Sequence, residues 1–329
     1  MSMFERVSAP PKVENQEQKP FNLEIWLSLK LKNQYETKAK ILNQLGLLEI
    51  LPKSQEIGIL GIDGQEYPFP KMEAIEQELK NNKELFETKI AQGFTELEIV
   101  PFAMPLQRLI NTLKKQLLKH HKEGKLFHTK KNQDDPNEEL KPFDLKEDDP
   151  LYVWDNYQNA DENGELFYDI KKFSKKNHQG KTKQEMIEAL KQSQMPGYLV
   201  TFREKSINIP REGKGEIKHN RKQLEANKTP KEYLQLLLKG KQYKGEFGQT
   251  LEEWITEFLI HLEETNQVID DYQGNGSASY LIGMFFHTSG NVPFGYSFHN
   301  NRQVYLDGNF PDCRNHVFGA RSAVRVNRV

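Results

Sequence analysis

An α+β fold, with two packed amphipathic helices beside a small antiparallel sheet, is what this sequence predicts, and three observations predict it. From Pro105 to His121, Leu106, Leu109, Ile110, Leu113, Leu117 and Leu118 recur on one helical face with lysines opposite. From Thr250 onward, Leu251, Trp254, Ile255, Phe258, Leu259 and Leu262 do the same. After residue 277 the hydrophobic period shortens to that of strands, and "ARSAVRV" alternates, with Ala320, Ser322, Val324 and Val326 on one side and Arg321, Ala323 and Arg325 on the other.

In chain order, residues 1–20 hold three prolines among polar residues, too little apolar surface to offset ordering, and read as a disordered leader. Residues 21–94 read as a helical region with a hairpin. Helices are predicted over 22–32 and 34–48, then a two-residue turn at Asp63-Gly64, because both residues tolerate positive φ, then a charged helix over 71–92. A strand near 96–103 precedes the Pro105 helix and opens a second module, 95–329. Within it, 124–249 is so rich in Lys, Asp, Asn and Gly that it reads as a loop-rich insertion, relieved by a helix in "KTKQEMIEALKQ" and a strand in "GYLVTF". Thr229-Pro230 places a cap and a first-turn proline, and Thr250 with Glu253 makes a capping box.

Composition narrows the function classes. Hydrophobic residues at 36% and charged residues at 28% describe a polar globular chain, and a formal net charge of -1 gives no global field for nucleic acid. No run of eighteen apolar residues and no basic-then-apolar leader appear, so a cytoplasmic protein without membrane insertion is expected. The single cysteine, Cys313, excludes an intrachain disulfide framework and a multi-thiolate zinc site built by this chain alone.

The distribution of charge is uneven. All lysines lie at or before Lys244, glutamate stops at Glu264, and five of the ten arginines fall in the last 28 residues. Burial explains the lysine silence of the regular "ARSAVRV" but not the polar, turn-forming "FHNN", "YLDGN" and "PDCRNH". Tyr, Ser, Asn, Asp, His and Arg are close to the set used by binding loops, because tyrosine gives contact area at low entropic cost while small polar side chains adapt. Composition alone leaves both causes standing.

"TNQVIDDYQGNGSASYLIGMFF" followed by "VPFGYSFHNNRQVYLDGNFPDCRNHVFGARSAVRV" resembles the C-type-lectin-fold variable proteins of diversity-generating retroelements, over roughly the last 80 residues. The resemblance rests on the order helix, Gly-rich turn, short strand, polar stretch and closing strand. It implies a C-type-lectin-like core and a segment rewritten by an error-prone reverse transcriptase that randomises adenines. Codons opened this way never encode Lys, Glu, Gln, Met or Trp, and 294–318 contains only Gln303 from that set. It further implies a solvent-facing ligand surface of Tyr296, Ser297, Phe298, His299, Asn300, Asn301, Tyr305, Asp307, Asn309, Asp312, Cys313, Asn315 and His316, with Tyr296 and Tyr305 as leading anchors. The ligand would be a protein or a glycan, with no cofactor. Arg321 and Arg325 are expected to lock the last strand by ion pairs with acids such as Asp270 or Asp271.

Two other readings stay open. The "FGARSAVRV" ending is similar to that of formylglycine-generating, sulfatase-modifying enzymes, but those use a cysteine pair, so no oxidase activity is expected here. A nucleic-acid accessory role would use the lysine-rich stretches at 171–183 and 214–231, which carry no interleaved aromatics and read as solvated faces. Three features are set aside as sites. "NADENG" has Ile170 where a calcium loop needs a bidentate glutamate and reads as an Asx-rich turn. His120, His121 and His128 lack a neighbouring carboxylate pattern and read as a solvated helix end, so no metal is expected. "GNG" at 274–276 precedes no helix that would hold phosphate.

Overall fold

The computed structural model describes residues 23–327; the leader expected over 1–20 lies outside the described residues. The mixed composition of helices and sheets matches the α+β expectation. The elements that position the site are β1 (Phe94–Val100), α1 (Leu106–Lys122), β2 (Leu151–Val153), β3 (Leu199–Glu204), α2 (Pro230–Lys239), β4 (Glu246–Gly248), α3 (Leu251–Thr265), β5 (Asp271–Tyr272), β6 (Ala278–Tyr280), β7 (Val292–Phe298), β8 (Gln303–Asn309), β9 (Phe318–Ala320) and β10 (Ser322–Arg325). Among the described residues, no helix is long and apolar enough to cross a membrane.

Two sheets frame the core. One is four-stranded and antiparallel, in the order β4-β10-β3-β1. The other runs β9-β6-β7-β8-β2, with β5 also on β7. This second sheet is mixed, not antiparallel as expected. β7 and β8 form a hairpin, whereas β2 joins β8, and β9 joins β6, in parallel through longer connections.

Helix α3 lies at the centre. Thr250 caps it with the expected box, its hydroxyl accepting from the Glu253 N–H while the Glu253 carboxylate accepts from the Thr250 N–H. Sequence periodicity predicts one buried face, yet every residue from Leu251 to Leu262 is buried. Its acids can be enclosed because they find partners inside: Glu252 meets Lys183 at 3.1 Å, and Glu257 accepts from Gln249 at 2.6 Å and faces Arg203 at 3.5 Å. Burial pushes the Glu98 carboxyl up to about 8 against the pull of Arg203, with the Glu257 charge nearby adding to the rise.

Several expectations need correction. The 124–249 stretch is not only a covering insertion, since β3 from within it pairs β1 on one edge and β10 on the other. Local composition could not reveal this, because the strand is flanked by long loops. Asp161 of "NADENG" is buried; it accepts from the Leu106 N–H at 2.8 Å, satisfying the start of α1, and pairs with buried Lys183 at 2.7 Å. The helix expected over 71–92 breaks at Asn82, giving Met72–Asn81 and Lys83–Ala91. His120 is not solvated: it is buried and its Nε2 lies 3.1 Å from Glu263.

Candidate functional site

The alternation of strands gives the β7–β8 hairpin two faces with different tasks. Inward, Gly295 lies against Trp254, where a Cβ would come within 2.8 Å of the indole, and Gly308 lies against Trp154 so closely that a Cβ would overlap the ring. Val304 and Leu306 are fully buried beside them. Ser297 also points inward, fully buried, its hydroxyl donating to the Ile269 carbonyl at 2.9 Å. Its expected place on a solvent-facing surface is therefore wrong; it has the parity of Gly295, not of Tyr296.

Outward, the cross-strand register aligns Phe294 with Asp307, Tyr296 with Tyr305 and Phe298 with Gln303. Neighbouring strands extend the row, with Tyr152 opposite Tyr305, Tyr272 opposite Phe298 and Tyr280 opposite Phe294. The result is a continuous strip of rings. Tyr296 stacks on Tyr305 at 5.1 Å and 16°, and on Phe294 at 5.3 Å and 8°, while Tyr152 lies 5.0 Å from Tyr305. Such rings cover one another, which explains why Tyr296, an expected anchor, is only 8% exposed. Tyr305 and Phe298 remain half-buried, and Tyr152 and Phe310 are 38% and 68% exposed.

Polar groups hold the tip of this strip. Asn301 donates to the Tyr305 hydroxyl at 2.6 Å, Tyr305 donates to Gln303 at 3.2 Å, and Gln303 donates to the Asp149 carbonyl at 2.7 Å. Burial among the rings raises the Asp307 carboxyl, partly opposed by the Gly308 N–H it accepts. Asn300 and Asn301 are exposed in the turn, where Arg302 takes φ 59°.

The remaining candidates part company. The loop after β8 runs to β9 alongside α2: Asp312 pairs with Lys231 at 2.6 Å, Arg314 with Glu232 at 2.5 Å, and Asn315 accepts from the Val317 N–H. Asn309 likewise accepts from the next N–H, that of Phe310. The hydrogen bonds of Cys313 among the described residues run through its backbone, from its N–H to Phe310 and to its carbonyl from Tyr280. His316 is exposed. His299 turns to the opposite side of the sheet from Tyr305, where its Nδ1 meets His128 Nε2 at 3.1 Å. The thirteen candidates thus divide into the outer strip and tip, the α2-side loop, one buried serine and one histidine facing elsewhere.

Sequence reasoning missed Tyr152 and Tyr272 as members of this surface. Tyr272 stood in the Gly-rich turn sequence, and Tyr152 in a short apolar run of a loop region, and neither signal says which sheet face a ring joins. Arg321 pairs with Asp270 as expected, but Arg325 pairs with Asp169. Comparison with protein-family profiles, with curated proteins and with solved structures finds no match for this chain.

Proposed function

We propose that this chain is a non-enzymatic binding protein whose contact surface is the outer strip and tip of the β7–β8 hairpin, built on a C-type-lectin-like core and diversified by a retroelement. One observation carries the reading: Gly295, Ser297, Val304, Leu306 and Gly308 face inward against fixed partners, while the outward aromatic row, buried at Phe294 and Tyr296, stays partly open at Phe298 and Tyr305 and is edged by Asn300, Asn301 and the exposed Tyr152. Large rigid rings beside adaptable amides suit recognition of a protein surface, where a few central aromatics carry most of the energy. Tyr305 is the leading anchor, its hydroxyl presented by Asn301 and Gln303. The lectin-like core is supported by β1, α1, α3 and β10 sharing one buried cluster.

The genetic part is tested at the locus. A near-repeat of the segment coding for 294–318, differing from it at adenines and lying beside a reverse-transcriptase gene, is the expected finding. A locus without such a repeat removes diversification from the proposal. The binding part is tested by selecting partners from a displayed protein library with the parent chain, then repeating capture with Tyr305→Ala combined with Asn301→Ala. Capture is expected to be lost with folding intact; undiminished capture places the contact surface elsewhere.

A further inference from the structure

His128, Asp271 and His299 converge behind the hairpin tip, although 143 residues separate the first two and 171 separate the histidines. Asp271 is fully buried, and His128 is its salt-bridge partner among the described residues, with oxygens 3.0 and 3.1 Å from Nδ1. The Gly274-Asn275-Gly276 turn encloses this carboxylate: the N–H groups of Gly274 and Gly276 both donate to the Asp271 carbonyl at 2.9 Å, and a Cβ on Gly274 would overlap the carboxylate oxygens. That close wrapping accounts for the glycines, whose N–H groups are taken up by the Asp271 main-chain carbonyl while the Asn275 N–H lies 3.5 Å from the carboxylate.

A carboxylate accepts and does not donate, so His128 Nδ1 carries the hydrogen and its Nε2 keeps a free lone pair. His299 Nδ1 lies 3.1 Å from this nitrogen, and with the His299 hydrogen on Nε2 it offers a second lone pair beside the first. Two ligands of one tetrahedral ion at roughly 2.0–2.1 Å stand about 3.3 Å apart, so the two nitrogens sit at nearly the spacing a shared ion requires. A carboxylate behind a metal-binding imidazole is the usual means of fixing its tautomer and raising its basicity. The buried carboxylate also lacks a lysine or arginine partner among the described residues, and a cation at the histidines offsets its charge through the imidazole.

We propose that His128 Nε2 and His299 Nδ1 bind a divalent transition-metal ion of the zinc type, with Asp271 as the outer partner that orients His128. His299 is exposed, so the ion's other positions open to water or to a donor atom of a bound molecule. The site stands on these three residues and does not depend on the proposed binding function of the outer strip.

The test is calorimetric titration of Zn2+ into the full chain, without a histidine tag, at neutral pH. A single saturable site is expected, with a thermal midpoint that rises with Zn2+. His299→Ala, a change at an exposed side chain, is expected to remove both effects while leaving the metal-free midpoint in place. Asp271→Asn, verified folded by circular dichroism, is expected to weaken binding about 10- to 100-fold. Absence of saturable uptake by the parent chain, or uptake that survives His299→Ala, overturns the proposal, as does binding that follows His121→Ala instead.

Discussion

Arg321 and Asp270 form a two-pronged ion pair, with both nitrogen–oxygen distances at 2.7 Å and the carboxylate fully buried. The same carboxylate accepts from the Trp254 indole N–H at 2.7 Å, so one acid ties the residue just before β10 to the central helix. Burial raises the Asp270 carboxyl, and Arg321 opposes that rise. Removing one partner leaves the other desolvated and unpaired. Arg321→Met is therefore expected to lower unfolding free energy by about 3–5 kcal/mol in denaturant titration. Arg321→Lys is expected to recover only part of it, since an ammonium cannot reproduce the planar two-pronged contact. A loss for Arg321→Met no larger than that of a surface substitution would refute this account.

The two faces of the β7–β8 hairpin predict losses of unequal size. Gly295→Ala drives a Cβ into Trp254, itself fully buried, and is expected to cost about 1–3 kcal/mol. Tyr305→Ala removes a half-buried ring and is expected to cost about 1 kcal/mol. Thermal unfolding of the two variants side by side measures the contrast. Equal losses would mean that the outer strip is core.

His261 supplies a pH dependence. Burial, assisted by the Arg203 charge, holds its imidazole down to about 3 from an ordinary value of 6.5. The folded pKa is thus below the unfolded one, so below 6.5 the unfolded chain takes up a proton that the folded chain refuses until about 3. The contribution is complete above 6.5 and declines as pH falls toward 3, by at most about 1.4 kcal/mol per pH unit. His261→Gln is expected to flatten the acid limb of the stability curve in that window relative to the parent chain. Parallel limbs in the two proteins would show that His261 does not titrate this way.

At the start of α3, Thr250→Ala deletes the side-chain half of the capping box and is expected to cost about 1 kcal/mol. Thr250→Ser keeps the oxygen and is expected to stay close to the parent in denaturant midpoint. A serine variant as unstable as the alanine variant would locate the effect in the buried methyl group instead.

What was readable in the sequence was local. The cap at Thr229, the capping box at Thr250, the hairpin around Asp63-Gly64 and the strand in "SAVR" each follow from residues within a few positions of one another, and all are present, although the hairpin loop is longer than the expected two-residue turn and the closing strand breaks at Arg321. The buried charges of α3 were not readable, because Glu252 and Glu257 look like a solvent face until Lys183 and Arg203 are brought to them from distant segments. The same holds for His128, whose carboxylate partner starts β5, 143 residues away. For the hairpin, the polar and aromatic character of 294–318 marked the region, but only strand parity separates Ser297 from its neighbours Tyr296 and Phe298.

Two of the chain's three tryptophans, Trp154 and Trp254, sit directly beneath glycines of the hairpin. Intrinsic emission is therefore a label-free gauge of whether that hairpin is seated. Anything that settles on the outer rings would leave the fully buried Trp254 indole in the dry, whereas lifting the hairpin wets it and shifts its emission to the red. The molecule carries its own optical distinction between occupancy and collapse.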